Sequence, residues 1–187
     1  LTEHGTLLRD TGLVNVIRTE QQFRIGDIAV TAFPVSHDAR EPVCYRLEDT
    51  CEAGEANGHP ACAVVTDLGQ YDPELIRKLQ GLSVLMLEAN HDLRMLETGP
   101  YPYPLKRRIA GTKGHLCNEA SGQLLSQLLH DGMHHVVLGH LSQKNNYQEL
   151  ARLAVGQEID AWDNPYHASD FPICVADQES GSAVYQF

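Results

Sequence analysis

The hydrophobic pattern of this chain changes period near residue 72, and that change restricts its possible folds more than any other feature. Before it, the apolar residues fall in short runs of strand type: Val14 to Arg18, Phe23 to Ile25, then a Gly26-Asp27 turn signal and the run Ile28 to Val35. Val43 to Leu47 and Ala61 to Thr66 are further strand candidates, and the acidic, glycine-containing stretch 48–60 between them reads as an exposed hairpin tip. After it, helices and strands alternate. Asp72-Pro73-Glu74 offers an N-cap, a proline at the first helical position and an acid facing the helix dipole, with Gly81 to close the helix. Val84 to Leu87 reads as a strand ending at Glu88. Asn118 is placed to cap a helix carrying Leu124, Leu125, Leu128 and Leu129, ended by Gly132. His135 to Leu138 is again strand-like, and Asn146 opens a helix with Leu150 and Leu153 buried and Gly156 at its end. A strand-rich first half followed by βαβα predicts an α/β domain with helices packed on the outside of a sheet.

Composition sets the scale of that domain. With 187 residues, 42% hydrophobic and 21% charged, the chain is one globular unit; at this size roughly 70% of the unfolded surface is buried, so a core forms without disulfide or metal staples. Disorder and a disulfide scaffold are excluded. Five cysteines without a Cys-x-x-Cys pair indicate free thiols in a reducing compartment. No run of eighteen apolar residues and no basic leader is present, so the expectation is a cytoplasmic protein without a membrane partner. A net charge of −11 opposes binding of nucleic acid by bulk electrostatics and leaves only a local basic stripe for that purpose.

The chemistry-bearing residues cluster at strand ends. Four candidate strands terminate in metal-competent or acid–base groups: Val35-Ser36-His37-Asp38, Val65-Thr66-Asp67-Leu68-Gly69, Leu87-Glu88-Ala89-Asn90-His91-Asp92 and Leu138-Gly139-His140-Leu141-Ser142. A fifth, Gly114-His115-Leu116-Cys117-Asn118, sits just before a helix start. Sheet architectures gather functional groups at one edge, where strand ends and their loops converge. Singly, each has a plainer reading: Asp67 before Leu-Gly as a turn former, Glu88 and His115 as caps, Asn90-His91-Asp92 as a helix start. Lys106, Arg107 and Arg108, with Lys113 beyond, form the basic cluster, read either as a solvated helix face or as a phosphate contact upstream of His115. Tyr101-Pro102-Tyr103-Pro104 reads as packing or a rigid loop, with tyrosines able to stack on bases.

The order and surroundings of these motifs resemble the metallo-β-lactamase superfamily, in its phosphodiesterase branch with tRNase Z, the phosphonate-pathway cyclic phosphodiesterase and most closely the YycJ/WalJ type. The anchors are Phe33 to Ala39, Thr66 to Gly69, Glu88 to Asp92, Lys106 through His115, and His140-Leu141-Ser142 with Asn145-Asn146. The resemblance implies an αββα sandwich with two divalent ions, Zn²⁺ or Mn²⁺, at one edge of the sheets. His37 then corresponds to a histidine ligand of one ion, Asp67 to the bridging carboxylate and His140 to the last histidine ligand. Imidazole and carboxylate donors suit those ions, and the pair lowers the pKa of a bound water from 15.7 toward about 7. His115 corresponds to the proton donor for the leaving oxygen and Glu88 to the acid that fixes its tautomer. His91, Lys106, Arg107 and Arg108 are the substrate-binding candidates.

The superfamily motif His-x-His-x-Asp-His does not occur in residues 1–187, and Glu3-His4-Gly5-Thr6-Leu7 resembles a segment that follows it. The resemblance therefore implies a single domain lacking its N-terminal portion, corresponding to the C-terminal two-thirds of the sandwich. It also implies an incomplete ligand set and low metal affinity or activity unless the missing segment is supplied. The expected function is metal-dependent, nuclease-like hydrolysis of a phosphodiester, in DNA or RNA or a small molecule. The alternatives are a thioester or lactone hydrolase of the same fold, and a metal-poor, non-enzymatic module that binds nucleic acid or a partner.

Overall fold

The structure, a computed structural model, describes residues 14–51 and 59–185. Strands β1 (Gln22–Ile25), β2 (Ile28–Pro34), β3 (Val43–Asp49) and β4 (Ala61–Val65) form an antiparallel meander. Its first turn is Gly26-Asp27, flanked by the Ile25–Ile28 pair, and Gly26 takes φ 60°, the positive angle that a two-residue hairpin with glycine first requires. From β4 the chain crosses over through α1 (Pro73–Leu79) to β5 (Val84–Glu88), which pairs parallel with β4. Helices α2 (Leu93–Thr98), α3 (Tyr103–Ile109) and α4 (Asn118–Ser126) precede β6 (His135–Gly139). Helix α5 (Gln148–Ala161) and a 3₁₀ turn at Ala168–Asp170 lead to β7 (Ile173–Val175), and both last strands add in parallel. The result is one seven-stranded mixed sheet with its strands in chain order.

The core lies on one face of that sheet. Ala61, Ala63 and Val65 of β4, Leu85 and Leu87 of β5, and Val136 and Leu138 of β6 alternate onto it, and Leu75, Leu79, Leu124, Leu125, Val155 and Ile159 of the helices cover them. Burying each such leucine stabilises the fold by about 2 kcal/mol. On the opposite face Ile28 and Val64 remain exposed, and Tyr45, Leu47 and Met86 only half-buried. The described residues thus supply one sheet and one helical layer, half of the four layers that the resemblance implies.

Several local expectations shift. Residues 14–18 carry no strand pairing and Val16 is exposed, so the first strand is β1, fixed by its hairpin register. Cys117 rather than Asn118 caps α4, its sulfur accepting from the Ala120 N–H at 3.4 Å, while the Asn118 amide turns inward to pair with Asn146. Helix α4 ends at Ser126, well before Gly132. Helix α5 runs through Gly156 because its apolar stripe is Ala151, Val155 and Ile159 at i, i+4, i+8, which leaves Leu153 exposed. Residues 52–58 of the hairpin tip and the Glu3–Leu7 segment lie outside the described residues. Among the described residues, no helix is long and apolar enough to cross a membrane.

Candidate metal centre

Strand direction brings the site together. Antiparallel pairing of β2 with β3 and of β3 with β4 makes β2 run the same way as β4, and β5 and β6 follow β4 in parallel. All four strands therefore end at one edge. Immediately beyond or at their ends stand His37, Asp67, Glu88 and His140. Asp67 and His140 sit at φ 58° and 56°, left-handed conformations that cost non-glycine residues about 1–2 kcal/mol.

His115 arrives from elsewhere. It lies between α3 and α4, held by the His115 N–H donating to the Ile109 carbonyl and by the Asn90 N–H donating to the Leu116 carbonyl. Backbone crowding presses this segment onto the Asp67 loop: a Cβ on Gly69 would lie 2.5 Å from the Gly114 nitrogen and 2.5 Å from the Thr112 oxygen. Only glycine fits there. The rings of His37, His115 and His140 consequently form a row, with centroid separations of 5.0 and 5.1 Å.

One buried carboxylate organises that row. Glu88 is 0% exposed, and its Oε1 accepts from Nδ1 of both His115 and His140, each at 2.7 Å. Its Oε2 accepts from the Leu68 N–H at 2.9 Å. Burial pushes the Glu88 carboxyl upward, but these hydrogen bonds outweigh it and hold the group below its ordinary value. The same bond to Glu88 raises the His140 imidazole against its partial burial. His37 is oriented separately, its Nδ1 donating to the Gly114 carbonyl at 3.0 Å. With Nδ1 of each imidazole committed, Nε2 of His37 and of His140 is left for other work.

Both face Asp67. Its Oδ1 lies 3.5 Å from His37 Nε2, 3.9 Å from His140 Nε2 and 3.8 Å from His115 Nδ1. Neighbouring ligands of an ion bound at about 2.0–2.2 Å sit roughly 3.3 Å apart in a tetrahedron; among the described residues the donor atoms of His37, Asp67 and His115 lie within 4.8 Å of one another, as do those of Glu88, His115 and His140, whereas His37 and His140 share no such group. The chemistry of the set, two imidazole nitrogens and a carboxylate oxygen with carbonyl and carboxylate groups behind the imidazoles, is that of a divalent-metal centre.

Two cavities meet over this row. One of about 550 Å³ opens over Asp67, His115 and His140, and one of about 230 Å³ lies beside His37 and Asp38; Tyr101, Ile109 and His115 line both. Arg108 lines the smaller cavity, where it forks onto both oxygens of Asp38 and holds that carboxyl below its usual range. The other sequence candidates stand apart. Lys106 donates to the Glu97 carbonyl at 2.7 Å, Arg107 is exposed on α3, and neither lines a cavity. His91 is 1% exposed and lies behind the site, where burial pushes its imidazole down to about 4; the adjacent Asp92 caps α2. Also lining the larger cavity are Asn90, which donates to the His140 carbonyl at 2.8 Å, and Ser142, both within motifs of the sequence but given no role there, together with Gln143, Lys144 and Gln178, which the sequence reading did not single out. The Leu-Ser following His140 was the available signal for that loop.

The fold is that of the metallo-β-lactamase superfamily, and in sequence the chain is similar to proteins of the YycJ/WalJ type. Exodeoxyribonuclease YycJ of Bacillus anthracis is 36% identical over 156 residues, 79% of this chain and 56% of that protein. Exodeoxyribonuclease WalJ of Streptococcus pneumoniae is 32% identical over 134 residues, 72% of this chain and 47% of that protein. The chain thus spans about half the length of these curated relatives. No family model matches the chain. The metallo-β-lactamase fold protein YhfI from Bacillus subtilis superposes with a TM-score of 0.53 at 14% identity, over 89% of this chain and 53% of its own. A diphosphatase of the PhnP family superposes with a TM-score of 0.50 at 16% identity, over 91% of this chain and 49% of its own. At those identities the likeness shows the fold alone.

Proposed function

We propose that this chain carries much of the reaction site of a divalent-metal-dependent phosphodiesterase acting on DNA. The single observation behind this reading is the buried Glu88 oxygen shared by His115 and His140 opposite Asp67. His37, Asp67 and His140 would hold two ions, Zn²⁺ or Mn²⁺, with Asp67 between them. Ions so placed supply Lewis acidity toward phosphate oxygens and an activated water at neutral pH. Asp67 offsets the repulsion between the dications. Glu88 fixes the tautomers of both His115 and His140, so that each presents Nε2 to the cavity. His115 delivers its proton from that nitrogen to the leaving oxygen, and Glu88 stabilises the imidazolium that precedes transfer. Counting Asp67 twice, each ion receives two ligands from these residues, short of the usual three or four, so the reading requires further donors from the remainder of the protein.

Thioester or lactone hydrolysis needs the ions but no Glu88–His115 pair, and a non-enzymatic binding module needs neither. The Glu88 bond to His140 serves any reading that needs the ions, whereas its second bond, to His115, has a use in the first reading and none in the others. The names of the YycJ and WalJ relatives support DNA as the substrate. The test is turnover of bis(p-nitrophenyl) phosphate by the intact Mn²⁺- or Zn²⁺-loaded protein. His115→Ala is expected to lower kcat by about 100-fold or more with metal content unchanged. Equal turnover in the variant removes the role of His115, and faster hydrolysis of a thioester than of the diester replaces the reading.

A further inference from the structure

Glu88 and Asn90 stand on a segment that prolongs β5. Glu88 pairs with Gly139 of β6, the Ala89 N–H donates to the Gly139 carbonyl at 3.0 Å, and His91 forms a parallel bridge with Cys117, so the backbone stays extended past the end of the strand. Alternate residues of an extended segment share a face. Glu88 and Asn90 thus both reach the residue that follows Gly139, and they hold it at different places. Glu88 accepts from Nδ1 of the His140 ring at 2.7 Å, and the Asn90 amide donates to the His140 carbonyl at 2.8 Å.

The second hold matters because of the backbone it grips. His140 has φ 56°, in the left-handed region that a residue other than glycine leaves unless its surroundings fix it. Among the described residues, the hydrogen-bond donor to its carbonyl is the Asn90 amide. Asn90 is itself anchored. It is buried, its N–H donates to the Leu116 carbonyl at 3.0 Å, and its own carbonyl accepts from the Ser142 N–H at 2.8 Å and from the Asn146 amide at 3.2 Å. The loop that leaves His140 is therefore tied to the same residue as His140. The rings of His37 and His115 are oriented without this side chain, His37 by the Gly114 carbonyl and His115 by Glu88.

From this double hold we infer that Asn90 is a positioning residue for His140: its side-chain amide fixes the left-handed peptide and so keeps the ring on Glu88, with Nε2 free to hold an ion. The inference rests on the metal-dependent reading for what that nitrogen does, and adds to it a residue outside the ligand set. Without the donor, the His140 peptide is released to turn toward negative φ, and the ring moves with it because a side chain follows its own Cα. Glu88 alone cannot prevent this, since it holds the ring at one atom. A ligand whose supporting bonds are lost binds metal more weakly even though the ligand itself is intact.

The experiment is a proton–nitrogen correlation spectrum of the intact protein labelled at histidine, in EDTA and with Zn²⁺, beside dye-competition measurement of Zn²⁺ affinity and turnover of bis(p-nitrophenyl) phosphate. The Nδ1 protons held by Glu88 and by the Gly114 carbonyl report each ring separately. Asn90→Ala is expected to shift or broaden the His140 signal while those of His37 and His115 stay, and to weaken Zn²⁺ binding about tenfold. Asn90→Ser keeps a shorter donor and should fall between; it carries the comparison where the alanine variant fails to fold. Glu88→Gln should instead move the His115 and His140 signals together. An unchanged His140 signal and Zn²⁺ affinity in Asn90→Ala overturn the inference. So does loss of all three signals with a lowered melting temperature, which makes Asn90 a general support of the fold. Absence of diester turnover in the unmutated protein, with the His140 signal and Zn²⁺ affinity responding as expected, counts against the phosphodiesterase reading alone.

Discussion

Glu88 Oε1 lies 2.7 Å from Nδ1 of His140, and the same oxygen lies 2.7 Å from Nδ1 of His115. A metal-ligand candidate and the proton-donor candidate therefore share one anchoring atom. Glu88→Gln keeps the volume but removes the charge, and a carboxamide oxygen is a weaker common acceptor for two imidazole N–H groups. Metal affinity is expected to fall about 10- to 100-fold, the usual effect of losing such a carboxylate behind a metal-binding histidine. Turnover on a diester should fall by at least as much as in His115→Ala. Competition with a metal-sensitive dye measures the first effect; unchanged affinity would show that His140 does not bind metal through this arrangement.

Gly69 supplies a second prediction. A Cβ at that position meets two backbone atoms at 2.5 Å, neither of which belongs to a flexible side chain. Gly69→Ala must push the 112–115 segment away from the Asp67 loop, at a cost of about 1–3 kcal/mol. A lowered melting temperature together with weaker metal binding is expected, whereas Gly81→Ala, where no atom lies within 4 Å of a Cβ, should leave metal binding alone.

His91 makes stability depend on pH. Its imidazole is buried and titrates near 4, against about 6.5 in the unfolded chain. The unfolded state therefore binds the proton first, and stability that is complete above pH 6.5 is lost as pH falls through the window from 6.5 to 4. At pH 5 the loss attributable to this residue is about 2 kcal/mol. Urea unfolding at pH 7.5 and pH 5.0 measures it, and His91→Leu should flatten the difference; an equal drop in the variant would assign the effect elsewhere.

Asp38 and Arg108 form the fourth test. The guanidinium forks onto the carboxylate beside His37 and holds it below its ordinary range. Carbon-detected NMR titration should show the Asp38 carboxyl returning toward about 3.9 in Arg108→Ala. A carboxyl that titrates identically in both proteins would mean that the pair does not persist in solution.

Much of this architecture could be read from local patterns. Asp72-Pro73 at a helix start, the Gly26-Asp27 hairpin turn, and the strands ending at Glu88 and Gly139 are each dictated by neighbouring residues. Local reading failed where burial chose between local options. Cys117 displaced Asn118 as a cap because the amide was needed in the buried Asn118–Asn146 pair, and α5 continued past Gly156 because its buried stripe did.

The same division holds at the site. By itself the sequence determined the residue types at the strand ends and hence the available chemistry: imidazole and carboxylate at His37, Asp67, Glu88, His115 and His140. Only the tertiary structure decided that one oxygen of Glu88 serves two histidines, and that Lys144 rather than the Lys106–Arg108 cluster borders the larger cavity. Strand ends are punctuated by residues next to them in the chain. Which ends face the same way, and which charges meet across 27 or 52 residues of sequence, depends on sheet order and on backbone contacts such as Gly69 against Gly114, which no local pattern encodes.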